Sequence, residues 1–283
     1  MSLVGLNTLQ HCLRVRSIKT SLRTLLLVIA ILLFPGGVTY SVSEIDFFYY
    51  FPDSVQSNFS LLKQEVDSFL NKAKFGGQFQ AFSHEVDFDR LVRERKPGMV
   101  LVPAWYYDRY GKSLALKPIL TSLRKGRPGY TKILLARKSK PFPSLRLDAM
   151  TVAVTNMGPD TAQQLNHYFS KCDGVDFSKS NVIITPKDAD AFYALVLGQV
   201  DAAVVSRETI QAVGQTNPRL VQLVQERAAS KPIPMPIICV TDGVMSTKRI
   251  DRLKQLLLQS GEQAQLPSFM RMLYISGWKN GLL

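Results

Sequence analysis

Histidine and cysteine are scarce in this chain of 283 residues, with three of each. His11, His84 and His167 lie far apart, and Cys12, Cys172 and Cys239 stand at none of the close spacings with which Cys and His enclose a metal ion. The G-x-S-x-G elbow, the H-E-x-x-H helix, the phosphate-cradling P-loop and the Rossmann glycine fingerprint are all missing. Asp188 and Asp190 stand two apart on an expected helix, so they point in different directions and form no catalytic pair by themselves. Enzyme chemistry is therefore not expected, and neither is a metal or a cofactor.

Acidic residues are absent before Glu44, whereas Arg14, Arg16, Lys19 and Arg23 all lie there. Long apolar runs are absent as well: the longest, Leu25 to Phe34, is about half of the ~20 residues a bilayer span needs, and Pro35, Gly36 and Gly37 break it. Residues 1–43 read as an export signal, with small Ser41 and Ser43 placed for cleavage before Glu44, and cleavage after Thr39 also open. An uncleaved membrane anchor of the same topology is the alternative. Cys12 precedes the apolar run, so it is not the lipid-bearing cysteine of a lipoprotein. Cys172 and Cys239 could pair in an oxidising compartment, but Cys239 falls in the apolar run Ile237 to Val240 and reads as a buried thiol. No stretch combines dense Lys/Arg with stacking aromatics, so nucleic acid is not an expected partner.

What the chain does have is ordinary globular material, 46% hydrophobic and 20% charged, with a formal net charge of +13. Subtracting the four basic residues of the leader leaves +9, a balance that favours anionic partners. The segment from Ala149 to Phe169 is the most telling. Met150 to Val154 reads as a buried strand, a glycine turn follows at Gly158, and Pro159 opens a helix. Such a junction aims backbone N–H groups and a positive helix end at the crevice above a sheet.

Glu44 to Phe51 predicts a strand, closed by Pro52, and Asp53 is placed to cap the helix that follows through about residue 72. Strands are expected at 77–83, 99–102, 114–120 and 130–137, with a helix at 86–95. The aromatics Trp105, Tyr106, Tyr107 and Tyr110 follow the strand 99–102, where they either line a crevice or pack under a loop. Beyond 147 the alternation is regular: strand 150–155, helix 160–171, strand 181–185, helix 187–197, strand 201–205, helix 207–213, then a strand-like 220–224. Gly198 and Gly214 are placed to end two of these helices, and Ser206 to begin one. Prolines 232, 234 and 236 keep the following stretch extended, as a crossover between lobes requires. The expected fold class is thus α/β, two lobes each built on a mostly parallel doubly wound sheet and joined by two extended crossovers near Ala136 and Pro234. Lobe 1 is expected to comprise 44–136 and 234–283, and lobe 2 137–233.

In the order and spacing of its segments the chain resembles a known family. GMVLVPAWYYDRYG (98–111), LALKPIL (114–120), GYTKILLARK (129–138), MTVAVTNMGPDTAQQL (150–165), LGQVDAAVVS (197–206) and PIPMPIICV (232–240) look like the phosphonate and phosphite-binding receptors of bacterial transporters, which have the type 2 periplasmic-binding-protein fold. The resemblance spans roughly 44–258. It implies a monomeric periplasmic receptor that closes on a small anion and delivers it to an ABC transporter permease. It also implies that the turn Thr155-Asn156-Met157-Gly158, with Thr161, takes the place of the family's S-x-S-G oxyanion loop, one serine being replaced by Met157. Asp201 matches a position where relatives place an acid near the cleft, with a turn or capping role as its alternative. Tyr49, Tyr50, Trp105 and Tyr106 are the remaining candidate cleft residues, and Tyr130 matches a recurrent aromatic. A membrane-anchored sensory or interaction module acting through a protein partner is the second reading.

Overall fold

Short β-branched and aromatic runs separated by amphipathic stretches can bury both faces of a strand only if helices cover the sheet on each side. The structure, a computed structural model that describes residues 45–56, 58–139 and 147–281, meets that requirement twice. Glu44–Leu283 forms one compact unit. The expected leader, 1–43, lies outside the described residues.

The first lobe contains β1 (Ile45–Tyr50), α1 (Phe59–Lys72), β2 (Gly77–Phe82), α2 (Glu85–Arg95), β3 (Met99–Val102), α3 (Ala104–Tyr110) and β4 (Leu116–Leu123). The chain then passes through β5 (Gly129–Tyr130) into the second lobe, made of β6 (Lys132–Arg137), β7 (Thr151–Thr155), α4 (Thr161–Phe169), β8 (Asn181–Thr185), α5 (Asp188–Val196), β9 (Ala202–Ser206), α6 (Arg207–Thr216), α7 (Pro218–Gln222) and β10 (Val224–Ala229). It returns through β11 (Ile233–Pro234) and completes the first lobe with β12 (Ile237–Thr241), α8 (Thr247–Glu262), α9 (Ser268–Met272) and β13 (Gly277–Asn280).

The sheet orders are β13-β4-β12-β3-β1-β2 and β10-β6-β9-β7-β8. The parallel expectation holds for β2-β1-β3 and for β8-β7-β9, which are linked through helices. The remaining neighbours run antiparallel. The reason is the crossovers: β6 and β12 enter their sheets from the other lobe, with no helix to restore the strand direction. The two crossovers pair with each other, Ile233 opposite Tyr130 and Pro234 opposite Gly129, in a two-stranded ribbon.

That ribbon corrects the expected boundary at 136. Lys132–Arg137 pairs with β9 and β10 and so belongs wholly to the second lobe, which places the outgoing crossover at 129–130. The expected return near Pro234 coincides with β11.

Three local expectations also change. Asp53 does not cap the first helix; Asn58 does, its side chain accepting the Leu61 amide at 3.0 Å, because the Asp53 carboxylate is engaged elsewhere. Gly214 lies inside α6, which continues to Thr216, whereas Gly198, at φ +78°, follows α5 as expected. The strand-like 220–224 is mostly α7, begun by Pro218 in the first helical turn, and the strand follows at 224–229.

Candidate functional site

Strand β6 lies between β10 and β9 in the second lobe's sheet, a position that ought to be wholly apolar. Ile133, Leu134, Leu135 and Ala136 of β6 are buried, yet Lys132 at the head of the strand is completely buried too. An isolated ammonium there would cost several kcal/mol, so its position demands carboxylate partners. Two supply them. Lys132 Nζ lies 2.9 Å from Oδ1 of Asp188, the first residue of α5, and 2.7 Å from Oδ1 of Asp53, which follows β1 in the first lobe.

The cluster is saturated. Asp188 Oδ2 accepts the Ser206 amide at 2.5 Å and the Thr209 hydroxyl at 3.2 Å. Thr155, the last residue of β7, receives a hydrogen bond from Lys132 at 2.7 Å and donates its own hydroxyl to Asp53 Oδ1. Tyr130, on the outgoing crossover, donates to Asp53 Oδ2. Burial pushes the Asp53 carboxyl above its ordinary range, a rise that Lys132 opposes and nearby Asp188 assists. Lys132, although burial works against its charged form, is held above the usual lysine value by Asp188 and Asp53. Burial and then the Asp53 charge raise the Tyr130 hydroxyl well above its normal value.

A second buried pair crosses the same boundary. Arg124, just after β4, bonds Glu208 of α6 at 3.0 Å and stacks over the Tyr130 ring at 5.2 Å. Across this boundary the first lobe therefore contributes Asp53 and Arg124, and the second Lys132 with Asp188 and Glu208.

Next to Asp53 lies a small chamber of about 20 Å³, lined by Phe51, Trp105, Tyr130, Met157, Tyr168 and Pro234 among others, with room for roughly one water molecule. It adjoins a groove of about 370 Å³ whose walls include Trp105, Asp108 and Arg109 of the first lobe and Met157, Gly158, Asp160 and Gln164 of the second. Gly158, at φ +106°, faces the Trp105 ring, and a Cβ there would meet Trp105 at 3.4 Å. Chamber and groove together form the crevice between the lobes.

The sequence-based candidates separate into three groups. Thr155, Asn156, Met157, Gly158 and Thr161 form one turn at the crevice, joined by Trp105 from the opposite wall. Their donors are taken up within the chain: the Asn156 side-chain amide donates to Glu85 at the start of α2, the Gly158 amide donates to Asn156 Oδ1 at 2.9 Å, the Met157 amide donates to Thr161 Oγ1 at 3.2 Å, and the Thr161 hydroxyl donates to the Gly158 carbonyl at 2.6 Å.

Tyr49 and Tyr106 belong to packing, whereas Tyr50, packed among rings, also brings its hydroxyl to Asn156 of the turn. Successive strand residues face opposite sides of a sheet, so Tyr49 and Tyr50 cannot both line one crevice. Tyr49 packs with Phe59 and Phe79, while Tyr50 stacks on Phe88 and meets the Trp105 ring edge-on. Tyr106 is buried in α3, its hydroxyl 2.9 Å from Asp89.

Asp201 is remote. Its Oδ2 accepts the amide of Thr151 at 3.0 Å, at the opposite end of β7 from Thr155, about 13 Å away at ~3.3 Å per residue. Its role there is the turn before β9 that the sequence also allowed.

Lys132, Asp53 and Asp188, which hold the base of the crevice, were missed. The available signal was a lysine heading a strand of otherwise apolar residues, KILLA, since such a residue needs an acid brought to it from elsewhere.

Two lobes, two crossovers and a crevice holding a strand-to-helix turn describe a type 2 periplasmic binding fold, and comparison with known proteins agrees. The model of the family described as "ABC transporter, phosphonate, periplasmic substrate-binding protein" matches residues 87–281. The chain belongs to that family, a family of solute-binding receptors of ABC transporters located in the periplasm. No curated protein sequence matches. Among solved structures, the binding-protein component of an ABC phosphonate transporter from Pseudomonas aeruginosa aligns with a TM-score of 0.68 at 16% identity, covering 84% of this chain and 81% of that one. PhnD1 from Prochlorococcus marinus, in complex with methylphosphonate, aligns with a TM-score of 0.68 at 8% identity over 85% and 93%. A protein from Xanthomonas citri bound to ATP aligns with a TM-score of 0.63 at 14% identity over 84% and 91%.

Proposed function

We propose that the chain takes a small phosphonate-like anion into the crevice at the turn Thr155 to Thr161, closes by rotation of the lobes about the β5–β11 ribbon, and presents the loaded form to a membrane permease. The observation that carries this reading is the face-to-face placement of Gly158 and Trp105 on opposite walls of the groove. A glycine at positive φ lets a ligand approach the backbone closely, and the indole supplies an apolar wall for an organic substituent. The net positive charge of the chain would draw anions toward it. Within this reading the protein acts as a monomer, binds without chemical conversion, has no nucleic-acid partner, and is exported through residues 1–43, whether as a cleaved signal or a retained anchor.

The test is thermal unfolding and calorimetric titration of the purified chain against phosphate, phosphite, methylphosphonate, 2-aminoethylphosphonate, sulfate and taurine. A ligand present at 100 times its dissociation constant adds about 2.7 kcal/mol to the folded state, a shift of a few degrees for a chain of this size. The reading expects a shift with a phosphonate that Gly158→Asp abolishes. Silence across the whole panel removes it.

A further inference from the structure

We propose that Asp53 is an internal ligand: its carboxylate holds the place of an oxyanion at the end of β7 and latches the lobes together, so that an external anion must displace it. The proposal deepens the reading above and rests on Thr155 and the turn after it being the ligand's position.

The argument is an accounting of donors. Three groups converge on the Asp53 carboxylate, the Lys132 ammonium at 2.7 Å, the Thr155 hydroxyl and the Tyr130 hydroxyl. All three come from the second lobe or from the crossover leading into it, whereas Asp53 comes from the first. A cation and two hydroxyls closing on two oxygens is how a protein recognises a small oxyanion. Here the chain supplies the oxyanion itself.

The neighbouring residue repeats the pattern. Asn156 gives its side-chain amide to Glu85, again a carboxylate of the first lobe. Both side chains that head the turn are thus answered by acids from across the crevice, and the Met157 and Gly158 amides are bonded within the turn. The electrostatics agree: Lys132 already stands between Asp53 and Asp188, and a phosphonate beside them would add further negative charge to a site with one ammonium. Binding of an anion and docking of Asp53 therefore exclude one another. The apparent affinity is the intrinsic one reduced by the fraction of molecules in which Asp53 is withdrawn.

Asp53→Ala should leave a hole of carboxylate size still lined by Lys132, Thr155 and Tyr130. Formate is expected to raise the unfolding midpoint of Asp53→Ala while leaving wild type and Asp53→Ala/Thr155→Val unmoved, and methylphosphonate is expected to bind Asp53→Ala at least tenfold more tightly than wild type. An equal formate shift in all three chains, or none in a folded Asp53→Ala, overturns the latch. Should Asp53→Ala not fold, Asp53→Asn keeps the shape without the charge: tenfold tighter methylphosphonate binding supports the proposal, and unchanged affinity defeats it. A formate effect confined to Asp53→Ala without phosphonate binding to any chain upholds the latch and removes the phosphonate reading. Phosphonate binding to wild type that Asp53→Ala does not improve, with no formate effect, does the reverse.

Discussion

Asp53 Oδ1 lies 2.7 Å from Lys132 Nζ across the boundary between the lobes, and both side chains are buried. With Arg124 and Glu208 at 3.0 Å beside it, this makes the interlobe wall a pair of crossed ion pairs where an apolar seam would have been the simpler solution. Buried pairs of this kind contribute little net stability compared with well-packed apolar residues, but they tolerate the loss of one partner badly. They make closure specific in geometry: the lobes meet in the one register that brings each charge to its partner.

Lys132→Met tests that statement. Removing the ammonium leaves Asp53 and Asp188 buried close to one another, and the expected loss is about 3–5 kcal/mol in denaturant unfolding. In the double variant Lys132→Met/Asp53→Asn part of that loss should return, since one uncompensated carboxylate is gone. A single variant within ~1 kcal/mol of wild type would show that the cluster is not desolvated.

Asp53 also gives stability a pH dependence of definite sign. The groups facing it are Lys132, Asp188, Thr155 and Tyr130, with Arg124 stacked on Tyr130. Burial raises its folded-state pKa above 3.8, so in the interval between the unfolded and folded values the folded chain keeps a proton that the unfolded chain has released, and above it Asp53 is the carboxylate paired with Lys132. Its contribution is therefore fully present below pH 3.8 and declines as pH rises through the folded value. Relative to Asp53→Asn, which does not titrate, wild type should lose ground as pH climbs from about 4, read from paired urea titrations. The opposite slope would mean that attraction to Lys132 outweighs burial.

Much of the fold was legible because it follows from periodicity. Met150 to Val154 reads as a strand and Gly198 as a helix stop from local chemistry alone, and the structure agrees at both. The direction of β6 was not legible. Whether GYTKILLAR ends one lobe or begins the next depends on which strands it pairs with, and nothing within the segment states that. The turn at Thr155 was visible, since a strand, a glycine and a helix adjoin in sequence. Its partners were not: Asp53 follows a proline and looks like a helix cap, and only the meeting of the lobes brings it to Thr155.

The two described cysteines should behave differently toward a thiol reagent. Cys239 is fully buried in β12 and burial pushes its thiol pKa far up, whereas Cys172 is half-buried with its thiol donating to the Ala229 carbonyl at 3.3 Å. The thiolate is the reactive form, so Cys239 lacks both access and ionisation. In a Cys12→Ser chain, Ellman's reagent is expected to titrate one thiol rapidly under native conditions and the second only in denaturant. Two fast thiols would place Cys239 at a surface, and none, recovered after reduction, would indicate a disulfide.

Gly158 separates backbone strain from crevice filling. At φ +106° any side chain is strained, which costs on the order of 1–3 kcal/mol, and the added Cβ of Gly158→Ala would stand 3.4 Å from Trp105. Stability should fall by that amount through the backbone alone, because 3.4 Å is an ordinary van der Waals separation. Trp105→Ala removes the opposing ring without touching the backbone. Paired with Gly158→Ala, it should leave the cost of φ in place, so a double-mutant cycle in urea is expected to give a coupling within about 0.5 kcal/mol of zero. A larger unfavourable coupling would mean that the added methyl presses on the indole and that the crevice is narrower in solution than this separation. Near-additive losses would leave Gly158 and Trp105 as walls that face one another with room for contact, which is the geometry that ligand capture at this turn requires.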